Sequence, residues 1–357
     1  MKATAIAPAN IAFIKYWGKA DPPARLDSAK RAGEAGDALR LPLNSSISMN
    51  LSGCTTTTTI EFSKDLDCDD VTFLDALTTI TRPRYCCQSS GRQHSDSQEE
   101  RIAHHLDRLR RRAGIKLYAK VVTKNSFPKG AGVASSASGF AALTVAAASA
   151  LGLLLSEKEL SIFSRLGSGS ACRSIPDGFV EWRKGNNSLT SYARSLYPAD
   201  YWDLRDILLI VEASQKKTGS TEGMNKARTS PFFARRLRDI PDRIKDVKRA
   251  IADKDLKRLG AAMEEDCIII HAVAMTQKPP IFYWDGKTLD IIRSVYEWRL
   301  QGLPVYFTID AGPNVHLICE AKDEKMVVEK AEEFVEVERI IINKPAQGAR
   351  LTDEHLF

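Results

Sequence analysis

The segment Pro128-Lys129-Gly130-Ala131-Gly132-Val133-Ala134-Ser135-Ser136-Ala137-Ser138 constrains the fold more than any other, because of what flanks it. Upstream, residues 116–122 alternate in the manner of a half-buried strand. Downstream, residues 136–151 form an alanine-rich run of high helix propensity. A strand, a short glycine loop and a long helix therefore follow one another. Glycines let backbone N–H groups come close to an anion, and the helix N-terminus adds partial positive charge. The hydroxyls of Ser135 and Ser136 stand where they would reach phosphate oxygens or a magnesium ion. A plain glycine turn with an N-cap serine would need neither the serine pair nor the long helix, so phosphate binding is the expectation. The spacing is neither that of a Walker A loop nor that of a dinucleotide fingerprint.

Around this unit the hydrophobic pattern gives strands over residues 3–14, 47–51 and 55–62, and helices over 99–113 and 156–166. Ser156 and Glu159 are spaced as a capping box. Past about residue 200 the rhythm changes. A compact apolar strand over 206–212 leads into a Ser/Thr/Gly loop, then into amphipathic helices over 231–250 and 254–275. A helix over 288–299, strands over 305–309 and 316–319, and a helix over 326–335 complete the pattern. Strands mixed with helix pairs predict an α+β chain of two lobes, 1–190 and 191–357, with the boundary falling within 185–205. Residues 22–40 and 81–100 are polar and aperiodic and read as exposed loops.

Composition narrows the class. A chain of 357 residues that is 43% hydrophobic and 27% charged builds an ordinary core, and no run is long enough to span a membrane. The first residues carry no apolar signal core, so a soluble, cytoplasmic protein is expected. Seven cysteines, without a CxxC pair or paired histidine ligands, predict reduced thiols rather than a disulfide framework or a zinc site. The net charge of +6 suits acidic small molecules. The basic stretches Arg108-Leu109-Arg110-Arg111-Arg112 and Arg235-Arg236-Leu237-Arg238 lie in helical contexts with interspersed acids, and read as solvated helix faces rather than a nucleic-acid patch.

Three further segments carry chemistry. In Gly167-Ser168-Gly169-Ser170-Ala171-Cys172-Arg173-Ser174, small residues and hydroxyls surround one arginine whose planar fork suits a carboxylate or phosphate. Alone, the pattern serves equally as a surface loop. In Asn10-Ile11-Ala12-Phe13-Ile14-Lys15-Tyr16-Trp17-Gly18-Lys19, Lys15 directly follows an apolar strand, where burial requires a counter-ion unless the side chain reaches solvent. In Phe307-Thr308-Ile309-Asp310-Ala311-Gly312-Pro313-Asn314-Val315-His316, Asp310 closes a strand and opens a Gly/Pro turn. Pairing Asp310 with Lys15 would satisfy both groups.

These segments resemble the mevalonate diphosphate decarboxylases, a family of the GHMP kinase superfamily. So do Leu41-Pro42-Leu43-Asn44-Ser45-Ser46-Ile47-Ser48 and Thr218-Gly219-Ser220-Thr221-Glu222-Gly223-Met224, with the resemblance running from about residue 3 to residue 320. It implies a two-lobed GHMP kinase fold with the active site in the cleft. It also implies an ATP- and Mg2+-dependent carboxy-lyase of the mevalonate pathway of isoprenoid biosynthesis, which phosphorylates a tertiary 3-hydroxyl and then eliminates phosphate with carbon dioxide. By motif match, Asp310 faces the 3-hydroxyl, Lys15 supports it, and Arg173 with Asn10 clamps the substrate carboxylate. Tyr16, Lys19, Ser168, Gly169 and Ser170 match the substrate's phosphate end. Gly130, Gly132, Ser135 and Ser136 match the ATP phosphates, Thr123 and Asn125 the nucleoside side, and Ser220 and Met224 the nucleotide. No carboxylate motif identifies metal ligands. A homodimer is compatible with the resemblance.

The sequence departs from the family pattern at Ile175-Pro176-Asp177-Gly178, at Thr221, and in the long segments 22–40 and 82–100. These departures bear on the phosphate chain length: Tyr16 and Lys19 favour the 5-diphosphate, giving isopentenyl diphosphate, and the alternative is the 5-monophosphate, giving isopentenyl phosphate. A mevalonate-type kinase without decarboxylation is a further alternative, and it would lack part of the Lys15, Arg173 and Asp310 set that is present here.

Overall fold

The computed structural model describes residues 1–20, 39–74, 98–128, 135–212 and 219–357. β1 (Lys2–Ile14) and β2 (Ser46–Ser63) pair antiparallel along their length, from Lys2↔Glu61 to Ile14↔Ile47. The sequence pattern breaks β2 in two at Ser52-Gly53-Cys54, whereas the structure keeps it whole. Gly53 is there for close approach: a Cβ on it would lie 3.0 Å from both Asn343 Oδ1 and the Ile342 carbonyl.

β4 (Tyr118–Asn125) extends the sheet beyond β2, and β3 (Asp70–Leu74) joins β4 in parallel. β5 (Phe179–Trp182) pairs with the first part of β2, and β6 (Ala193–Tyr197) with β5. On the opposite edge, β11 (Arg350–Thr352) returns to pair antiparallel with β1, Thr4 facing Thr352. A second, four-stranded antiparallel sheet has the order β10 (Arg339–Asn343), β7 (Leu204–Ile210), β9 (Val315–Glu320), β8 (Tyr306–Ile309).

Helices fill three layers. α1 (Gln98–Ala113), α2 (Ser135–Ala150) and α3 (Glu157–Gly167) pack with Ala3, Ala5, Ala7, Ile60 and Phe62 of the first sheet. The capping box forms as read: Ser156 Oγ accepts the Glu159 N–H, and Glu159 Oε2 accepts the Ser156 N–H. α5 (Phe233–Asp253) and α6 (Leu256–Thr276) lie between the sheets, where Val247 and Met263 share one cluster with Ile11, Phe13 and Met49 on one side and Leu208 and Ile318 on the other. α7 (Gly286–Leu300) and α8 (Glu324–Glu332) cover the far face of the second sheet through Ile291, Val295 and Val327. β7 is buried on both faces, which explains the apolar run of its last four residues, Ile207-Leu208-Leu209-Ile210. The short α4 (Ser220–Lys226) replaces part of the loop expected there. The result is the expected α+β architecture. No helix among the described residues is long and apolar enough to cross a membrane.

Two glycines show packing overruling propensity. A Cβ on Gly139 in α2 would meet nothing within 4 Å, whereas a Cβ on Gly260 in α6 would sit 2.0 Å from the Tyr306 ring. Gly139→Ala should therefore raise stability by about 0.5–1 kcal/mol. Gly260→Ala should lower it by about 1–3 kcal/mol despite the better helix former. Thermal melts of the two variants separate the effects by sign.

The expectation of reduced thiols needs one correction. Cys68 is disulfide-bonded, while Cys54, Cys172, Cys267 and Cys319 are free and buried. An odd cysteine count excludes complete pairing but not a single bond.

Candidate active site

β1 delivers Asn10 within the strand and Lys15 just beyond its end. β8 delivers Asp310 at the head of a turn, in which the Gly312 N–H donates to the Asp310 carbonyl at 2.8 Å. Asn314 ties that turn to β7, its Oδ1 accepting the Val211 N–H at 2.9 Å. The two strand ends meet in an ion pair: Lys15 Nζ donates to Asp310 Oδ1 at 2.7 Å. The lysine side chain is 3% exposed and the aspartate 26%, so the cation is buried while the carboxylate has one side open.

Arg173 sits in a 3-10 turn over Gly169–Ser174 that follows α3. Its Nε and Nη2 donate to Asn10 Oδ1 at 3.2 and 3.0 Å, its Nε also to Ser48 Oγ at 3.1 Å, and its Nη1 to Ser46 Oγ at 2.8 Å. Asn10 is fixed in turn by its Nδ2, which donates to Ser174 Oγ at 2.9 Å. Burial pushes the Arg173 guanidinium below its ordinary value, and the charge of Asp310 acts against that shift. A buried cation held by neutral oxygens is electrostatically short of an anion.

Tyr16 packs tilted against Trp182, ring centroids 4.6 Å apart and planes at 59°, and its hydroxyl is a buried donor without a hydrogen-bond partner among the described residues. Burial raises the phenol well above its usual range. A Cβ on Gly169 would fall 2.8 Å from the Tyr16 ring, so that glycine is required for the loop to lie against it. Ser168 Oγ lies 3.1 Å from Ser136 Oγ, joining the arginine loop to the first turn of α2. Ser170 gives its carbonyl to Asn10 Nδ2 at 3.3 Å, and the Lys19 backbone pairs with Pro42 in an isolated antiparallel bridge.

Both halves of the chain match family models: residues 7–193 the diphosphomevalonate decarboxylase-like N-terminal domain, and residues 207–352 the mevalonate 5-diphosphate decarboxylase C-terminal domain. The chain belongs to the diphosphomevalonate decarboxylase family. The diphosphomevalonate decarboxylase of Candida albicans is 36% identical over 334 residues, covering 91% of this chain and 86% of the relative. The mevalonate diphosphate decarboxylase of Staphylococcus aureus superposes with a TM-score of 0.84 at 37% identity, covering 99% and 98% of the two chains. MDDEF solved in complex with MVAPP, AMPPCP and magnesium gives a TM-score of 0.84 at 34% identity, covering 99% of each chain.

Relative to the sites expected from family resemblance, Asn10, Lys15, Tyr16, Arg173 and Asp310 come together. The residues assigned to the nucleotide form a second group. On β4, Asn125 Oδ1 accepts from Thr56 Oγ1 at 2.7 Å and Thr123 lies 3.0 Å from Thr58 Oγ1. Thr56 in turn lies 2.7 Å from Ser138 Oγ in the first turn of α2, the helix opened by Ser135. Ser220 is exposed at the start of α4, while Met224 is buried with Trp17 and Tyr283 beneath it. Gly130 and Gly132 lie outside the described residues, as does most of the two long loops.

Residue-type reasoning missed several members of this diphosphomevalonate decarboxylase site. Ser46 and Ser48 enter the sequence reading only as part of a motif, yet both hold Arg173; their alternation with Ile47 and Met49 was the available signal, one face of β2 being polar. The reading of Arg235–Arg238 as a solvated face is corrected at Arg236, which is fully buried and bonded to Asp266. The helical period places Arg236 on the same side as Ile240 and Arg243, toward the core. The other basic stretch needs the same correction at Arg110, which pairs with buried Asp69.

Proposed function

We propose that this chain catalyses the ATP-dependent decarboxylation of mevalonate 5-diphosphate to isopentenyl diphosphate, with release of ADP, phosphate and carbon dioxide. The observation that carries the reading is the convergence of two buried cations, Lys15 and Arg173, around the partly open carboxylate of Asp310. Hydroxide is a poor leaving group and phosphate a good one, so the 3-hydroxyl must be phosphorylated before the carboxylate can leave.

In the first step the 3-hydroxyl gives its proton to the Asp310 carboxylate. Its oxygen bonds the γ-phosphorus as the bond to the ADP oxygen breaks. Lys15 keeps Asp310 oriented and supplies positive charge beside the transferring group. Arg173, held rigid by Asn10, Ser46 and Ser48, faces the substrate carboxylate. In the second step the C3–O bond breaks, phosphate leaves with that electron pair, and the pair of the carboxyl–carbon bond becomes the alkene. The unpartnered Tyr16 hydroxyl, with Lys19 and the Gly169 and Ser170 turn, takes the 5-diphosphate end.

The ATP chemistry implies magnesium. No cluster of three His, Cys, Asp or Glu side chains occurs among the described residues, and the hydroxyls of Ser135 and Ser136 at the start of α2 suit an ion that keeps most of its ligands from phosphates and water. When bound there, it would neutralise phosphate charge. Under the same reading the lobes divide as 1–190 and 191–357, with β6 and β11 of the second stretch completing the sheet of the first. The partner is a small anionic molecule rather than nucleic acid, the setting is cytoplasmic, and a homodimer is compatible with the reading.

The test is a coupled assay with ATP and magnesium, offering mevalonate 5-diphosphate and mevalonate 5-phosphate separately and following ADP and carbon dioxide. Equal amounts of both products from the diphosphate are expected. Carbon dioxide from the monophosphate alone would transfer the assignment to that substrate, and ADP without carbon dioxide would make the protein a kinase.

A further inference from the structure

Two consecutive residues of α6 hold the main chain on both sides of the Lys15–Asp310 pair. Asp266 is fully buried, and its Oδ2 accepts the Lys15 main-chain N–H at 2.7 Å. Arg236 of α5 donates to both Asp266 oxygens at 3.1 Å and to the Lys15 carbonyl at 2.9 Å. Asn44 Nδ2 reaches the same carbonyl at 2.9 Å, and Asn44 Oδ1 accepts from Arg236 Nη1 at 3.3 Å. One residue further along α6, Cys267 Sγ accepts the N–H of Ile309, the residue before Asp310, at 3.2 Å and donates to its carbonyl at 3.7 Å. Lys15 and Asp310 come from different sheets, yet their backbones are fastened to neighbouring positions on one helix.

The chemistry of the cluster argues for more than cohesion. A buried ion pair loses about as much in desolvation as it gains in attraction, and well-packed apolar residues would hold the layers together as well. Apolar residues cannot, however, engage both the N–H and the C=O of a single residue. A lysine side chain has four rotatable bonds, so a 2.7 Å contact at its tip depends on a fixed origin. We infer that Asp266, supported by Arg236 and Asn44, is a positioning residue that sets Lys15 opposite Asp310, while Cys267 sets the Asp310 side. The inference rests on the activity proposed above, since the pair it positions is the pair that acts in phosphoryl transfer.

The experiment measures ADP and carbon dioxide from mevalonate 5-diphosphate and MgATP for the full-length wild type, Asp266→Asn, Asn44→Ala, Lys15→Ala and the Lys15→Ala/Asp266→Asn double variant. Asp266→Asn keeps shape and removes charge. It should lower kcat by about 10²-fold, as expected for a displacement of roughly 1 Å at the reacting groups, with KM for both substrates changed less than about twofold. In the Lys15→Ala background the same substitution should change kcat less than about twofold, because its effect passes through Lys15. A purely cohesive role predicts equal losses in both backgrounds, or a loss that follows the folded fraction, and either result overturns the inference. Should Asp266→Asn fail to fold, Asn44→Ala decides: a fall in kcat of about tenfold with folding intact supports positioning, and an unchanged kcat overturns it. A wild type that yields neither product overturns the proposed activity and this inference with it, whereas an active wild type confines any failure to the inference alone.

Discussion

Asp310→Asn is expected to lower kcat for ADP and carbon dioxide together by at least about 10³-fold, near the upper range for loss of a positioned proton acceptor with its charge. The amide keeps the shape of the carboxylate but neither takes the proton of the 3-hydroxyl nor balances Lys15, whose side chain is only 3% exposed. Both products must fall in step, because carbon dioxide departs only after the hydroxyl has been phosphorylated. KM for ATP should stay within about threefold, since the groups assigned to the nucleotide lie on β4, α2 and α4 rather than at Asp310. Steady-state kinetics with both product assays checks this. ADP production persisting within about tenfold of wild type would remove Asp310 from the transfer step.

The second large effect belongs to Arg173. Arg173→Lys preserves charge and should still cost about 10²–10³-fold in kcat/KM. The guanidinium spans Asn10, Ser46 and Ser48 at once through three nitrogens, and a single ammonium cannot hold those partners while facing a carboxylate. The variant also separates binding from chemistry in the absence of ATP. At mevalonate 5-diphosphate concentrations of about 100 Kd the wild type should gain about 2.7 kcal/mol of stability, visible as a rise in Tm. At the same concentration Arg173→Lys should show a much smaller rise. Equal thermal shifts for the two proteins would place the substrate carboxylate elsewhere.

Much of the architecture was legible because long elements carry strong periodic signals. β1, α2, α5 and α6 fall within a few residues of the expected bounds. Most short strands, β3, β5, β6, β10 and β11, were not seen, since three to five residues offer little alternation to read and owe their pairing to distant partners. The site divides along the same line. Lys15, Arg173 and Asp310 stand out because a charge next to an apolar run or inside a loop of small residues is chemically conspicuous. Asp266, Arg236 and Cys267 do not, because each occupies an ordinary helical position and gains its meaning only from backbone atoms more than forty residues away. Arg236 illustrates the difficulty, sitting within a run of arginines whose neighbour Arg235 is paired on the surface with Asp239.

The return of β11 to the edge of β1 has a consequence for how the protein is made. Translation at about 5–20 residues per second leaves on the order of tens of seconds between synthesis of Thr4 and of Thr352, its partner across the ladder. During that interval one edge of β1 presents unsatisfied N–H and C=O groups, the kind of open border that recruits other nascent strands. β1 is also the strand that places Asn10 and leads into Lys15. The start of the strand that leads to the chemistry is thus made well before the segment that seals its edge at Thr4–Ile6, and a newly made chain has need of chaperone protection there.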